Sequence, residues 1–363
     1  MKHHVYGKNS PMPAFLEGVC DFAIDVQADR PVRILQLTDM QIIDSAQQRY
    51  IGRLSDRETE CWTMEHVDKQ AFDHIRSLVA QTSPDLVIIT GDIIYGEFDD
   101  DGSTLIRFRD FMDSLSVPWA PVYGNHDNES LKGVAWQSAS LENGRYCLFK
   151  RGSMTGNGNY SILLMQNGKP IRTLYMLDSH GCGHTTDPEA FLMPGIFPDQ
   201  LSWMIDTSRR LAELYGETVR GFVACHLPSL DVAEALEEKG YTRSDRPFFT
   251  LGVDVQAEAG DFGGIHEPLS MLTEPQRLAP YLHDASVNGV FVGHNHANNT
   301  SILYKDIRWT FGLKTGQHDY HAAGQLGGTL ITLDDRCEGG FAVAHVPALV
   351  LYREFPKMYH FDR

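Results

Sequence analysis

The sequence contains no long hydrophobic run and comparatively few basic residues. Nowhere in its 363 residues do about eighteen apolar side chains follow one another, which is the length needed to cross a membrane. Lys and Arg number 31 against 48 Asp and Glu, giving a formal net charge of −17. Phosphate backbones are bound mainly by Lys and Arg. We therefore expect neither a membrane nor a long nucleic acid as a partner.

The sequence also lacks several motifs that mark other classes of protein. It has no Cys-x-x-Cys pair, no Gly-x-Ser-x-Gly block of serine hydrolases and no Gly-x-x-x-x-Gly-Lys phosphate loop. The N-terminus has no apolar segment of the signal-peptide type, although a trimmed signal would leave no trace. Scattered cysteines are typical of reduced thiols, so we expect a cytoplasmic protein. The six cysteines are Cys20, Cys61, Cys147, Cys182, Cys225 and Cys337.

The composition is that of a globular protein with a sizeable core, since 42% of the residues are hydrophobic. No Gly/Pro/Ser-rich linker divides the chain, and no internal repeat occurs. We predict an N-terminal arm or edge strand over residues 1–30, one large domain over 31–356 and a short tail over 357–363.

The first half of the domain alternates between apolar runs and helical patterns. Residues 32–38, 86–90 and 118–123 predict buried strands. Residues 65–81 and 104–115 carry apolar side chains at helical spacing. This alternation predicts an α/β fold with a parallel sheet.

The second half predicts antiparallel strands as well. Residues 160–165 and 171–177 flank Asn167-Gly168, which indicates a hairpin, and residues 300–304 and 307–313 flank a second tight turn. A helix is expected from residue 198 to 214. Residues 231–277 indicate a long surface loop with one short helix over 232–239.

Five apolar runs end in residues that can bind metal or move protons. The endings are, in chain order, Asp39-Met40-Gln41, Gly91-Asp92, Gly124-Asn125-His126-Asp127, His226 and Gly293-His294-Asn295-His296. The carboxyl ends of parallel strands meet at one edge of a sheet. We therefore expect Asp39, Asp92 and Asn125 to lie close together.

These five blocks, in this order, resemble those of the calcineurin-like metallophosphoesterases, and with residues 195–203 they look most like the branch of the purple acid phosphatases. The resemblance implies a two-sheet sandwich flanked by helices (α/β/β/α) and two metal ions, identified only as Fe, Mn or Zn. The implied ligands of the first metal are Asp39, Asp92 and His296. Those of the second metal are Asp92, Asn125, His226 and His294.

The sequence departs from the family pattern at Gln41, where the family commonly has His. Gln offers only a neutral carbonyl oxygen, a poorer ligand than imidazole for a transition metal. Tyr95 matches the Gly-Asp-x-x-Tyr block through which purple acid phosphatases add a tyrosinate ligand. Our hypothesis is that Tyr95 compensates for Gln41 and biases the first site toward a hard trivalent ion.

The resemblance predicts hydrolysis of small phosphorylated substrates, most simply phosphomonoesters, by a metal-activated hydroxide at a dinuclear site. His126 is the candidate to protonate the leaving oxygen, and Asp127 is expected to orient it. Two alternatives remain: a phosphodiesterase for cyclic or nucleotide diesters, and a catalytically weak descendant that binds phosphate compounds or a protein. Five other histidines are left outside the site: His180, His184, His266, His318 and His321.

Overall fold

The computed structural model describes residues 2–50, 52, 54, 56, 59, 62–181, 193–239, 253–254, 260–267, 269, 277–322 and 324–349. The strands are β1 Lys2–Tyr6, β2 Phe22–Gln27, β3 Arg33–Leu37, β4 Leu86–Thr90, β5 Trp119–Val122, β6 Tyr160–Gln166, β7 Lys169–Met176, β8 Gly221–Ala224, β9 Val253–Asp254, β10 Gly264–Ile265, β11 Val287–Val292, β12 Ser301–Tyr304, β13 Ile307–Phe311, β14 Gly327–Leu333 and β15 Phe341–Pro347. The α-helices are α1 Met64–Thr82, α2 Ser103–Ser114, α3 Val134–Glu142, α4 Pro198–Tyr215, α5 Leu230–Glu238 and α6 Ala279–Asp284.

A five-stranded sheet carries the first half of the domain, in the order β15-β14-β3-β4-β5. Strands β3, β4 and β5 are parallel, as predicted, because α1 and α2 carry the chain back between them. Strands β14 and β15 come from the end of the described chain and add antiparallel neighbours beside β3. The strand ends that carry Asp39, Asp92 and Asn125 therefore share one edge.

An eight-stranded sheet carries most of the second half, in the order β1-β2-β6-β7-β8-β11-β13-β12. The predicted hairpins are β6 with β7 and β12 with β13. Asn167 and Gly168 have φ values of 50° and 79°, the left-handed conformation that a tight hairpin turn requires. Strands β8 and β11 are parallel neighbours in the middle of this sheet, which brings His226 and His294 to adjacent strand ends.

The N-terminal residues form part of the same sheet. Strand β1 lies at its edge, and β2 lies inside it, between β1 and β6. His3 and Arg30 both contact the buried carboxylate of Asp85, at 2.9 Å and 2.8 Å. Asp85 directly precedes β4 of the other sheet, so this cluster ties the two sheets together at their edge.

The two sheets face each other across one hydrophobic core. Ile24 and Ile162 of the larger sheet join Ile34 and Val87 of the smaller sheet in a single buried cluster. Helix α1 covers the outer face of the smaller sheet, against β3 and β14. Helices α4, α5 and α6 cover the outer face of the larger sheet with a second cluster. The predicted α/β/β/α sandwich is confirmed.

The helices and the cysteines can be compared with what the sequence led us to expect. Among the described residues, no helix combines the length and the apolar character that a bilayer span requires. Four of the six cysteines lie in the described ranges, and all four are free thiols. The predicted tail over 357–363 and much of the loop over 231–277 lie outside the described residues, whereas the short helix predicted there is α5.

Candidate metal centre

The strand ends of both sheets converge on one cluster of polar side chains. Asp39, Asp92 and Asn125 follow β3, β4 and β5, whereas His226 and the pair His294 and His296 follow β8 and β11. Ligand atoms of Asp39, Asp92 and His226 all lie within 4.8 Å of one another. The cluster that the sequence predicted for a metal is therefore assembled in space.

The backbone of this cluster is strained. Asp39, Asp92 and His294 have φ values of 53°, 52° and 70°, in the left-handed region that side chains with a Cβ adopt at a cost. Gly124 and Gly293 allow the loops to close, because a Cβ at Gly124 would collide with the Asp92 carboxylate and one at Gly293 with Thr38. Strain of this kind concentrates at functional sites.

The donors around His226 have the spacing of ligands that share one cation. Its Nε2 lies 3.1 Å from Asn125 Oδ1 and 3.4 Å from Asp92 Oδ2. Ligand atoms bound to a cation at about 2.1 Å lie about 3.0 to 3.4 Å apart in octahedral and tetrahedral sites. The Nδ1 of His226 donates to the carbonyl of Thr90 at 2.7 Å, which directs Nε2 toward the carboxylate. Asn125, Asp92 and His226 therefore fit a metal.

A second set of donors lies around Asp39. His296 Nε2 lies 3.4 Å from Asp39 Oδ1, and His296 Nδ1 lies 3.1 Å from the carbonyl oxygen of Tyr320, to which it donates. The other oxygen of Asp39 accepts hydrogen bonds from Thr38 Oγ1 at 2.6 Å and from the backbone N–H of His294 at 3.1 Å. Asp39 and His296 are therefore two candidate ligands of a second cation.

The charges in the cluster favour bound cations. Burial raises the pKa of Asp92, but the charges of His226 and His126 outweigh it and hold the pKa far below its ordinary value. Burial lowers the pKa of His226, and the Asp92 charge outweighs this and raises it to about 9. Burial and the charge of His226 lower the pKa of His294 to about 3, so this imidazole is neutral. A cation would displace the His226 proton, as metal binding to imidazole generally does.

Gln41, which we included among the candidate metal ligands, directs its oxygen away from the cluster in this structure. Its Oε1 accepts a 2.6 Å hydrogen bond from Lys314 Nζ, whereas its Nε2 faces Asp92 Oδ2 at 3.3 Å. The ammonium of Lys314 has only N–H donors, so the Gln41 oxygen is assigned to the side that faces it. Gln41 thus presents N–H groups, which cannot bind a cation, to the cluster.

Tyr95 lies beside the cluster as part of an aromatic group. Its ring stacks on that of His126, with centroids 3.9 Å apart, and packs near Trp62 and Phe98 at 6.0 and 5.8 Å. These contacts explain why Tyr95 is buried. Its role as a tyrosinate ligand stays a prediction.

His126 is held by Glu129 rather than by Asp127, which corrects the expected orienting partner. His126 Nδ1 lies 3.0 Å from Oε2 of Glu129, which belongs to the 3-10 turn Asp127–Glu129 that directly follows His126. Asp127 instead accepts backbone N–H groups on both oxygens, from Ile94 at 3.0 Å and Gly124 at 2.7 Å. Burial and the charge of Asp92 raise the pKa of Asp127 to about 7. Asp127 therefore fixes the loop, and Glu129 fixes the imidazole.

The protonation of His126 follows from these neighbours. Burial lowers its pKa, but the Asp92 charge and the Glu129 hydrogen bond outweigh burial and raise it to about 9. Its backbone N–H also donates to Asp92 Oδ1 at 3.0 Å. His126 is therefore a protonated imidazole at neutral pH, beside the cation cluster.

The other histidines play different parts. His180 is buried and its Nδ1 donates to the carbonyl of Gly195 at 2.6 Å, and the His318 ring packs on Trp62 with centroids 3.9 Å apart. His266 and His321 are half-buried in loops. His184 lies outside the described residues.

Comparisons with known proteins agree with the blocks at the strand ends. Residues 32–298 match the family described as Calcineurin-like phosphoesterase. "Probable inactive purple acid phosphatase 29" of Arabidopsis thaliana is 25% identical over 324 residues, which cover 81% of this chain and 74% of that protein. "Phosphatase DCR2" of Saccharomyces cerevisiae is 31% identical over 125 residues, 31% of this chain and 22% of that protein.

A solved dimetal phosphatase from Danio rerio is 13% identical, with a TM-score of 0.49, and the match covers 88% of this chain and all of that one. Because the family match spans 267 of the 363 residues, from 32 to 298, it does not depend on this weaker structural likeness. The predicted resemblance is confirmed, and the chain belongs to the calcineurin-like phosphoesterase family.

Proposed function

We propose that this chain is a metal-dependent phosphoesterase that hydrolyses small phosphomonoesters. The observation that carries the proposal is the orientation of two imidazoles. His226 and His296 each donate Nδ1 to a backbone carbonyl and direct Nε2 at a buried carboxylate, Asp92 or Asp39. This is the arrangement of metal-binding histidines, whose second nitrogen is fixed by a hydrogen bond.

The residues that would hold cations are Asp92, Asn125, His226 and His294 on one side and Asp39, Asp92 and His296 on the other. When bound, such cations neutralise phosphoryl oxygens and lower the pKa of a water from about 15.7 to near 7. Iron, manganese and zinc are the candidate metals. Asp39 and Asp92 adopt the left-handed backbone conformation where the strand ends of the two sheets converge, and strain of this kind is typical of functional sites.

His126 is the residue that would donate a proton to the leaving group. Hydrolysis forms a bond from phosphorus to a water oxygen and breaks the bond to the ester oxygen, which must gain a proton to leave as an alcohol. With Nδ1 engaged by Glu129, the protonated ring has its Nε2–H left to donate. General acids of this kind contribute about a hundred- to ten-thousandfold in rate.

Two alternative functions are a phosphodiesterase and a catalytically weak binding protein. A phosphodiesterase would use the same residues with a differently shaped pocket. A catalytically weak binding protein is favoured by the turned Gln41 amide and by the word "inactive" in the name of the relative from Arabidopsis thaliana. The intact acid and imidazole pair of Glu129 and His126 counts against it.

The test is hydrolysis of an aryl phosphate and of a bis-aryl phosphate by metal-stripped protein, before and after addition of Mn²⁺, Zn²⁺ or iron. We expect metal to restore activity, with the monoester turned over faster. A faster diester reaction would favour the phosphodiesterase. No turnover by folded, metal-loaded protein would refute the enzyme and leave the binding protein.

A further inference from the structure

Lys314 is a fully buried lysine next to the cation cluster. Its side chain is 1% exposed, and lysine is almost never buried to this extent without partners. It follows β13 and reaches across to the loop after β3. There, its Nζ donates to the backbone carbonyl of Asp39 at 2.9 Å and to Gln41 Oε1 at 2.6 Å.

These contacts fix the orientation of the Gln41 amide. If the amide were turned over, its NH2 group would meet Lys314 Nζ, donor against donor, and its oxygen would meet the Asp92 carboxylate, acceptor against acceptor. Both groups are buried, so water cannot relieve either mismatch. The present orientation satisfies both contacts at once. To offer its oxygen to a cation, Gln41 would have to give up the hydrogen bond from Lys314 and place its NH2 group against the ammonium.

The loss of this ligand affects only one of the two cation positions. The position next to Asn125 keeps four candidate ligands, two of them imidazoles. The position next to Asp39 keeps His296 as its one imidazole and shares Asp92. In addition, the basic group of Lys314 lies on the carbonyl of Asp39 itself.

We propose that Lys314 holds the Gln41 oxygen away from the metal, so that the Asp39 and His296 position binds divalent cations more weakly than the Asn125 and His226 position. The inference rests on the proposed function, because it assumes that the chain binds cations at all. It makes Lys314 a positioning residue that acts through Gln41. The chain would then carry one firmly held divalent ion at low metal concentration and two only at high concentration.

The experiment is equilibrium dialysis of the full chain against Mn²⁺ and Zn²⁺, with metal content measured by mass spectrometry. For the unaltered chain we expect one equivalent bound at least about tenfold more tightly than the second. Gln41→Leu should change either affinity by less than about threefold, because its oxygen is not used. Lys314→Met should tighten the second equivalent about tenfold, because the Gln41 amide is then able to turn.

Lys305→Met serves as the matched control, because Lys305 is an exposed lysine in the β12–β13 turn. If Lys314→Met fails to fold, Gln41→Leu alone tests the inference. A tenfold loss of affinity for the second metal equivalent in this variant would show that Gln41 is a ligand and would overturn the inference. Two equivalents of equal affinity in the unaltered chain would also overturn it and leave the proposed function intact. No bound metal in the folded chain would overturn both.

Discussion

Glu129→Gln tests whether the buried Glu129 carboxylate, which is hydrogen-bonded to His126, helps His126 to donate a proton to the leaving group. Glu129 is 3% exposed, and its Oε2 lies 3.0 Å from His126 Nδ1. Gln keeps the size of the side chain and can still accept this hydrogen bond through its amide oxygen, but it carries no charge. The substitution therefore removes the charge and little else.

The size of the effect follows from the two kinds of hydrogen bond. A bond to a charged group contributes about 1.5 to 3 kcal/mol and a neutral one about 0.5 to 1.5 kcal/mol, a difference of about 1 to 1.5 kcal/mol. Because about 1.4 kcal/mol corresponds to a factor of ten, we expect turnover to fall about five- to tenfold.

The assay compares two substrates, an alkyl phosphate with a poor leaving group and an aryl phosphate with a good one. Proton donation helps the poor leaving group most. We therefore expect the full loss in kcat for the alkyl phosphate and a smaller loss for the aryl phosphate, with metal content unchanged. Glu142→Gln, which alters an exposed acid at the end of α3, is the control. Equal losses on both substrates would refute the reasoning.

Three further variants probe other parts of the molecule. His126→Ala should lower kcat about a hundred- to ten-thousandfold without loss of bound metal, and an unchanged rate would contradict its role as the acid. Tyr95→Phe keeps the stacking ring on His126 but removes the hydroxyl, so iron(III) content measured after reconstitution should fall if Tyr95 compensates for Gln41; full iron content would refute that hypothesis. Burial raises the pKa of Asp85, but hydrogen bonds from His3 and Arg30 outweigh it and lower the folded-state pKa below the ordinary value of 3.8. The stability that Asp85 contributes is therefore present above about pH 4 and lost as the pH falls through the folded-state pKa. Asp85→Asn should lower the free energy of unfolding at pH 7 by about 1 to 3 kcal/mol and flatten its decline toward pH 2, as urea titrations would measure; a steeper acid decline in the variant would contradict this.

The strand-end residues that the structure brings together could be found in the sequence because each pattern is local. An apolar run followed by Asp92 or by Asn125 is visible within ten residues, and parallel strands bring such endings together. Glu129 was missed although its signal is local as well. A short helical turn brings residues three apart into contact, so residue 129 reaches the His126 ring and residue 127 does not.

Lys314 could not have been predicted in the same way. It lies 273 residues from Gln41, and the contact exists only because β14 pairs with β3 and returns the end of the domain to its beginning. The sequence drew attention to Gln41 only through the resemblance to the family pattern. The hydrogen bond from Lys314 to the side-chain oxygen of Gln41 became visible only in three dimensions.

The convergence of both sheets at one edge has a consequence for how the molecule assembles. The smaller sheet supplies oxygen donors, from Asp39, Asp92 and Asn125, whereas the three candidate imidazole ligands, His226, His294 and His296, follow strands of the larger sheet. Asp39 and His294, which touch in the cluster, are 255 positions apart in the chain. Each of the two candidate cation positions therefore draws ligands from both sheets. A cation bound here would link the two sheets. Its retention would report that both sheets have folded and packed against each other.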